Sequence, residues 1–294
     1  MYKIILNPFA GKGKAFKYIR QIESLFEEYK VSYDMVITNS PKQAIEFAYN
    51  AIENDFIDIV AAGGDGTVNE VVNGILASNK SNEVNMGILA LGGGNDFVKT
   101  LNYPKNLEDQ VQKFVSPDVK KIDVGKIEDN YFINTLGIGF DAKVAKSYSK
   151  NLVLNGSAGY YKAVMKELVK LQPYFLDVKL DDVEFADEIL LISVGNGRFC
   201  GGKFQLTPDA ELDDGFFDIC VVDNISRFTI IKVLPRATSG EHVDHPKAHL
   251  YRTKRIVVSA YEDLPVYFDG ELPKLKNAKE LEITLEPSKI NLII

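Results

Sequence analysis

The chain has 294 residues, 46% hydrophobic and 26% charged, the composition of an ordinary soluble globular protein with room for one large domain or two of usual size. Its 34 basic and 41 acidic side chains leave a formal charge of −7, which argues against a protein that coats nucleic acid, because nothing cancels the phosphate charge globally. Cys200 and Cys220 are too few for a disulfide framework, no apolar run approaches the roughly 18 residues of a membrane span, and the apolar start is too short for a signal peptide, so the expected location is cytoplasmic.

In chain order, the first third alternates two periods. Short apolar runs at Tyr2–Leu6, Val31–Ile37, Ile57–Ala61 and Gly87–Leu91 predict buried strands, while Ile19, Ile22, Phe26 and Tyr29, then Ala44, Phe47, Ala48 and Ile52, recur at helical spacing. Pro41 is expected to open the second helix, since a proline at the first helical position gives up no hydrogen bond. This alternation predicts an α/β domain with a doubly wound parallel sheet, a fold that binds ligands at the loops leaving the carboxyl ends of its strands.

Glycine collects in those loops. Asn7-Pro8-Phe9-Ala10-Gly11-Lys12-Gly13-Lys14 follows the first strand and joins backbone freedom to two lysines that can offset phosphate charge. It has neither the Walker spacing nor a G-x-G-x-x-G, so an ordinary dinucleotide fingerprint is absent. Gly63-Gly64-Asp65-Gly66-Thr67-Val68-Asn69-Glu70 joins a buried strand to a helix start, where unpaired amides favour phosphate. Asp65 is by itself a poor phosphate contact, and a bound Mg²⁺ reconciles the two. Read blandly, the same segment is a tight strand–helix turn with Asp65 as its cap. Leu91-Gly92-Gly93-Gly94-Asn95-Asp96 ends the fourth strand.

Beyond about residue 120 the texture changes. Strands are predicted at Lys121–Ile127, Tyr131–Thr135, Phe175–Leu180, Glu188–Val194, Phe216–Val222, Arg255–Ser259, Val266–Phe268 and Glu280–Leu285, with a helix near Gly159–Leu171. Asp-Gly turns punctuate them, as in an antiparallel sandwich. The expected division is an α/β nucleotide-binding domain over 1–122, to which a tail at about 287–294 returns, and a β-sandwich-like domain over 123–286, with a cleft between them. Asp269-Gly270-Glu271 reads either as a charged hairpin turn or as a pair of chemically active carboxylates. Glu211-Leu212-Asp213-Asp214-Gly215-Phe216 reads as a hairpin turn, and His242, His245 and His249 as an exposed polar loop rather than a zinc site. Lys162, Lys166 and Lys170 form a basic stripe, either a solvated face or a contact for anionic membrane.

Asn7-Pro8-x-x-Gly11, Gly63–Glu70 and Gly92-x-x-Asn95-Asp96, followed by Asp123-Val124-Gly125, Phe132-x-Asn134, Gly137–Asp141, Pro208–Gly215 and Asp269-Gly270-Glu271, together resemble the diacylglycerol kinase catalytic family, above all its soluble bacterial lipid kinases. The resemblance spans nearly the whole chain in the family's order. It implies an enzyme that uses ATP and Mg²⁺ to phosphorylate the hydroxyl of diacylglycerol or a related lipid. The nucleotide site it implies comprises Asn7, Pro8, Phe9, Ala10, Gly11, Lys12, Thr38, Gly63, Gly64, Asp65, Gly66, Thr67, Val68, Asn69, Gly93 and Asn95. Glu271 is the implied catalytic base, partly desolvated by Phe268 and Leu272, and Asp65 the second catalytic carboxylate. A structural Mg²⁺ is implied at the side chain of Asp214 and the backbone carbonyls of Glu211 and Phe216, with Asp96 and Asp123 holding water around it. The implied partner is a lipid at the membrane surface, met by transient peripheral contact without insertion, and a homodimer is a further partner that the resemblance allows. One departure stands out: the family's usual Gly-Thr/Ser in the third loop is Gly92-Gly93 here, without the hydroxyl. Two alternatives stay open, a kinase of a soluble acceptor such as NAD, and a nucleotide- or lipid-binding regulator with weakened catalysis.

Overall fold

The computed structural model describes residues 1–149 and 156–294. The chain forms two compact units, Met1–Asp123 with Pro287–Ile294, and Val124–Glu286.

In the first unit, β1 (Tyr2–Leu6), α1 (Ala10–Gly13), α2 (Ile19–Glu28), β2 (Tyr33–Ile37), α3 (Gln43–Glu53), β3 (Asp58–Gly63), α4 (Asp65–Leu76), β4 (Asn85–Ala90), α5 (Asp96–Thr100) and α6 (Leu107–Gln112) follow one another. The strands run parallel in the order β2-β1-β3-β4, and Asn291 and Leu292 add to β4 beside Asn85 and Met86. Because side chains alternate across a strand, Ile4, Leu6, Val60, Ala62 and Leu89 share one face, packed against Ile22 and Phe26 of α2 and Val111 of α6. Ile5, Ile59, Ala61 and Ile88 point the other way and are also fully buried, so both faces of the sheet are covered, as a parallel sheet requires.

The second helix departs from expectation at its start. α3 opens at Gln43, after Lys42 in the left-handed conformation, and Pro41 stands in the preceding turn. The reason is tertiary: the Glu70 carboxylate of α4 accepts hydrogen bonds from the amides of Lys42 (2.9 Å) and Ala44 (3.2 Å) and so caps α3 from outside.

The second unit contains β5 (Val119–Ile127, entering from the first), β6 (Asn130–Phe132), β7 (Thr135–Gly139), α7 (Phe140–Ser149), α8 (Gly156–Leu168), β8 (Tyr174–Lys179), β9 (Glu184–Gly195), β10 (Phe217–Asp223), α9 (Arg227–Val233), β11 (Ala248–Thr253), β12 (Arg255–Ala260), β13 (Val266–Phe268) and the first half of β14 (Glu280–Ile293), which ends in the first unit. It is antiparallel and sandwich-like. β9 organises it: Glu184–Ile189 pair with β8, Leu191–Gly195 with β7, and the strand's other edge with β10. One side of this sheet buries Leu136, Ile138, Ile192, Val194, Phe217 and Ile219 together. The other side, from Leu190, packs under α7 and α8 with Phe140, Val144, Tyr160 and Val164.

Several elements differ from the sequence reading. β14 runs on to Ile293 rather than stopping at Leu285, and α8 sits three residues earlier than expected, ending at Leu168. α7, α9 and β11 are additions: α9 has no clean apolar stripe because apolar residues occur all round it, and β11 alternates weakly. The histidines do not form one exposed loop. His242 is buried with its Nε2 3.8 Å from Cys220 Sγ, His249 on β11 pairs with Asp223 at 3.1 Å, and His245 is half-buried.

Candidate functional site

β1, β3 and β4 lie side by side and parallel, Leu6 opposite Ala62 and Gly63 opposite Ala90, so the loops that follow them leave one edge of the sheet. Asn7 ties the first loop to the second: its Nδ2 donates to Thr67 Oγ1 (3.0 Å), while its Oδ1 accepts the Phe9 amide (3.0 Å). The second and third loops touch through backbone. A Cβ on Gly92 would stand 2.5 Å from Gly64 Cα, closer than any real contact, so glycine here is a condition of the approach. Gly11 has a φ of +59°, and a Cβ there would lie 2.7 Å from the Leu91 carbonyl, which brings the first loop against the third. All three loops thus form one backbone-lined surface.

Within it the implied nucleotide residues divide by burial. Phe9, Lys12 and Gly93 are exposed; Asn7, Pro8, Ala10, Gly11, Gly64, Asp65, Gly66 and Asn95 are half-buried; Thr38, Gly63, Thr67, Val68 and Asn69 are buried. The buried ones shape the surface from behind, with the Thr67 side chain lying where a Cβ of Gly63 would be. Val68 already donates its amide to the Gly64 carbonyl (3.0 Å), the first bond of α4, so only the amides ahead of it lie outside the helical ladder. Asn95, left-handed at φ 50°, turns its Nδ2 inward to the carbonyls of Ala90 (3.3 Å) and Gly92 (3.2 Å) and stiffens the third loop. At Gly93 no described atom lies within 4 Å of where a Cβ would stand, so the missing hydroxyl leaves open space.

Two carboxylates flank the third loop. Asp65 Oδ1 accepts the Phe97 amide (3.1 Å), and its Oδ2 lies 3.1 Å from where a Gly94 Cβ would be, with Asp96 Oδ2 at 3.7 Å from the same point. Asp96 also pairs with Lys99 at 2.7 Å. Two hard-oxygen donors converging on a glycine that leaves room between them fit a hydrated Mg²⁺ carried with nucleotide phosphates. Asp123 is buried and accepts the Ser288 amide (2.7 Å), which fastens the returning tail.

In the second unit, Asp269 and Glu271 share a tight hairpin. Phe268 and Glu271 exchange backbone hydrogen bonds of 3.0 and 2.7 Å across Asp269 (φ 45°) and Gly270 (φ 95°). The two carboxylates have opposite surroundings. Asp269 is buried and accepts three amides, Ile133 (2.7 Å), Asn134 (3.1 Å) and Thr135 (3.1 Å), so it clamps the hairpin to the start of β7. Glu271 is exposed. Its neighbours do not supply the expected apolar cover: Phe268 is buried beside the ring of Phe132 (6.0 Å), and Leu272 is 40% exposed.

The loop at Glu211–Phe216 also differs from expectation. Asp214 Oδ1 accepts the Phe216 amide (3.0 Å) and its Oδ2 is paired with Arg252. The Arg252 guanidinium lies 4.8 Å and the Lys254 ammonium 5.0 Å from the centre of the Phe216 ring. Arg252 faces Asp218 in the β10–β11 register, and the Asp218 carboxyl is pushed up to about 6, first by burial, with the charges of Asp214, Asp209 and Glu211 adding to the rise and Arg252 opposing it. This acidic corner therefore has a cation of its own. The Asp214 carboxylate is thus held by protein partners, and the two cations lie over the Phe216 ring.

Residues 1–127 match the diacylglycerol kinase catalytic domain, and residues 134–294 match the YegS C-terminal NAD kinase beta sandwich-like domain. A diacylglycerol kinase of Staphylococcus saprophyticus is 31% identical over 270 residues, 92% of this chain and 88% of the relative. The chain belongs to the diacylglycerol kinase family. A second family member, from Staphylococcus aureus strain Newman, is 32% identical over 273 residues, 92% of this chain and 85% of its own. The crystal structure of a diacylglycerol kinase from Bacillus anthracis has the same fold, with a TM-score of 0.75 at 23% identity over 99% of this chain and 96% of the other. The family makes this chain a phosphotransferase of the lipid kinase type. Among the described residues no helix is long and apolar enough to cross a membrane.

Asp141, the last residue of the Gly137–Asp141 segment, has a buried pairing that its place in the sequence does not show: it accepts the Tyr160 hydroxyl (2.9 Å) inside the helical layer. An aspartate beside Phe140 and Ala142 in a glycine-rich run was the available signal, a charge in an otherwise apolar segment.

Proposed function

We propose that the protein transfers the γ-phosphoryl group of ATP to the hydroxyl of diacylglycerol or a closely related lipid, in a Mg²⁺-dependent reaction. The observation that supports it most is the convergence of Asp65 and Asp96 on Gly94 within a surface of three backbone-lined loops. Phosphoryl transfer demands positioning and charge neutralisation more than covalent chemistry, and such a surface supplies both.

Each residue then has a distinct role. The loop amides ahead of Val68 and the exposed Lys12 hold the phosphates, while Gly64 and Gly92 let the backbone approach them. Asp65 and Asp96 are the groups that would hold Mg²⁺, whose chemistry is to offset negative charge on the transferred group. Glu271 takes the proton from the acceptor hydroxyl. Its exposure leaves the carboxylate within reach of an acceptor hydroxyl. Asp269 positions Glu271 by clamping the hairpin between them. Contact with the lipid surface is peripheral, through Lys162 and Lys166 on α8 and Lys170 just beyond it, all exposed.

The test is phosphoryl transfer itself. Purified protein is given labelled ATP with diacylglycerol in mixed micelles, with NAD, or with no acceptor, each with and without Mg²⁺. Label in the lipid fraction that requires Mg²⁺ is expected; label in NAD, or none in any acceptor, overturns the reading.

A further inference from the structure

The first unit holds a cavity of about 460 Å³ beside the third glycine loop that none of these roles uses, within the roughly 300–1,000 Å³ of small-molecule sites. Its fixed wall is braced by side chains bonded to backbone. Gln110 of α6 accepts the Ala90 amide (2.9 Å) and donates to the Pro104 carbonyl (2.9 Å), and the Tyr103 hydroxyl donates to the Ile88 carbonyl (3.0 Å). Asn102, left-handed at φ 51°, turns the chain back after α5, so that Lys105 lines the same cavity as Lys99 of that helix.

The charge around it is one-sided. Lys99 and Lys105 line it, the Lys113 ammonium stands 5.3 Å from the centre of the Tyr103 ring in its wall, and among the described residues no aspartate or glutamate lines it. In a chain of net charge −7, such a cavity is a local site for an anion. Compact ammonium groups and the Asn102 amide suit the charged oxygens of a phosphate, and the space beside Val98 and Pro104 suits an organic group esterified to it. Lys99 also has a second partner. Its ammonium lies 2.7 Å from Asp96 Oδ1, and Asp96 is one of the two carboxylates that converge on Gly94. A carboxylate held by an ammonium is a weaker ligand for a metal, and an anion in the cavity draws that ammonium away from it.

We propose that this cavity binds a phosphomonoester through Lys99 and Lys105, and that its occupation releases Asp96 for Mg²⁺. A lipid headgroup and a small soluble ester share this chemistry. The anion site stands on the cavity alone, whereas the coupling rests on the Mg²⁺ role given to Asp96 above. By reciprocity, Mg²⁺ with nucleotide and the phosphomonoester strengthen one another's binding.

Glycerol 3-phosphate is titrated by calorimetry into the full-length protein saturated with a non-hydrolysable ATP analogue, which keeps the nucleotide loops filled. Phosphatidylcholine vesicles with and without phosphatidate are tested in parallel by co-sedimentation. Saturable one-site binding of glycerol 3-phosphate is expected for a soluble ester, and binding only to phosphatidate vesicles for a lipid headgroup. Either is weakened about tenfold or more in Lys105→Gln and in Lys99→Gln. The apparent Mg²⁺ affinity, read from binding of a fluorescent ATP analogue, rises about fivefold or more when the phosphomonoester is present, and Lys99→Gln removes that rise. No saturable binding of either probe, binding seen only when the ATP analogue is left out, or binding indifferent to both variants while they still bind the analogue, overturns the site. Variant-sensitive binding that leaves the Mg²⁺ affinity unchanged overturns the coupling. An intact anion site in a protein that phosphorylates no lipid supports the site and overturns the acceptor reading instead.

Discussion

The glycine loops of the first unit and the carboxylate hairpin of the second are built by different physical means. The loops act through main chain: Gly64 and Gly92 approach each other, Asn7 holds Thr67, and Asp65 is fixed by a nearby amide. The hairpin acts through side chains whose partners are far away in sequence, Asp269 reaching Ile133, Asn134 and Thr135 across 134 to 136 positions. The two constructions therefore fail in different ways. A loop built on close backbone approach loses ligand binding when a methyl group intrudes, whereas a clamp built on one buried carboxylate loses the fold around it.

The largest effect is expected from Glu271→Gln, which keeps the shape of the hairpin and cannot accept a proton. Turnover should fall by about 10²–10⁴ with Tm and ATP affinity unchanged, measured by steady-state kinetics and calorimetry. Near-normal turnover at saturating ATP and lipid would leave Glu271 a surface residue of the turn. Asp269→Ala tests the clamp. It strands three amides, each costing about 1–3 kcal/mol, so chemical denaturation should show a loss of at least about 3 kcal/mol, and a loss below about 1 kcal/mol would mean that water replaces the carboxylate.

Next comes the backbone contact. Gly92→Ala forces the second and third loops apart by overpacking, with an expected cost of about 1–3 kcal/mol in nucleotide binding, roughly tenfold or more in affinity, and a smaller change in Tm. Equal affinity in the variant would place the nucleotide elsewhere. At the Asp214 loop, Arg252→Gln should lower Tm by about 2 °C, the scale of a half-exposed ion pair, while EDTA leaves the Tm of the unmodified protein alone. A Tm that drops on chelation would restore a structural metal at Asp214. The smallest effect is a gain: Gly93→Thr places a hydroxyl in open space beside the nucleotide loops and should lower the KM for ATP about 2- to 10-fold, worth roughly 0.5–1.5 kcal/mol. An unchanged or raised KM would show that the backbone amides already suffice.

Short-range physics accounts for what could be read from the chain alone. The alternation of strand and helix periods predicts the parallel sheet of the first unit, and glycines after β1, β3 and β4 mark the edge where its loops gather, because both signals lie within a few residues of each other. The motifs also carried the family. Whatever depends on residues distant in the chain had to wait for the fold. Glu70 caps α3 and moves its start past Pro41; Arg252, on a strand some forty positions on, takes the carboxylate of Asp214; Asp269 is a buried clamp while Glu271, two residues later, stands in solvent. Asp141 meets Tyr160, nineteen positions away, inside the helical layer. In each case a side chain's role is set by which partner desolvates or neutralises it, and that partner is brought near only by the folding of the whole unit.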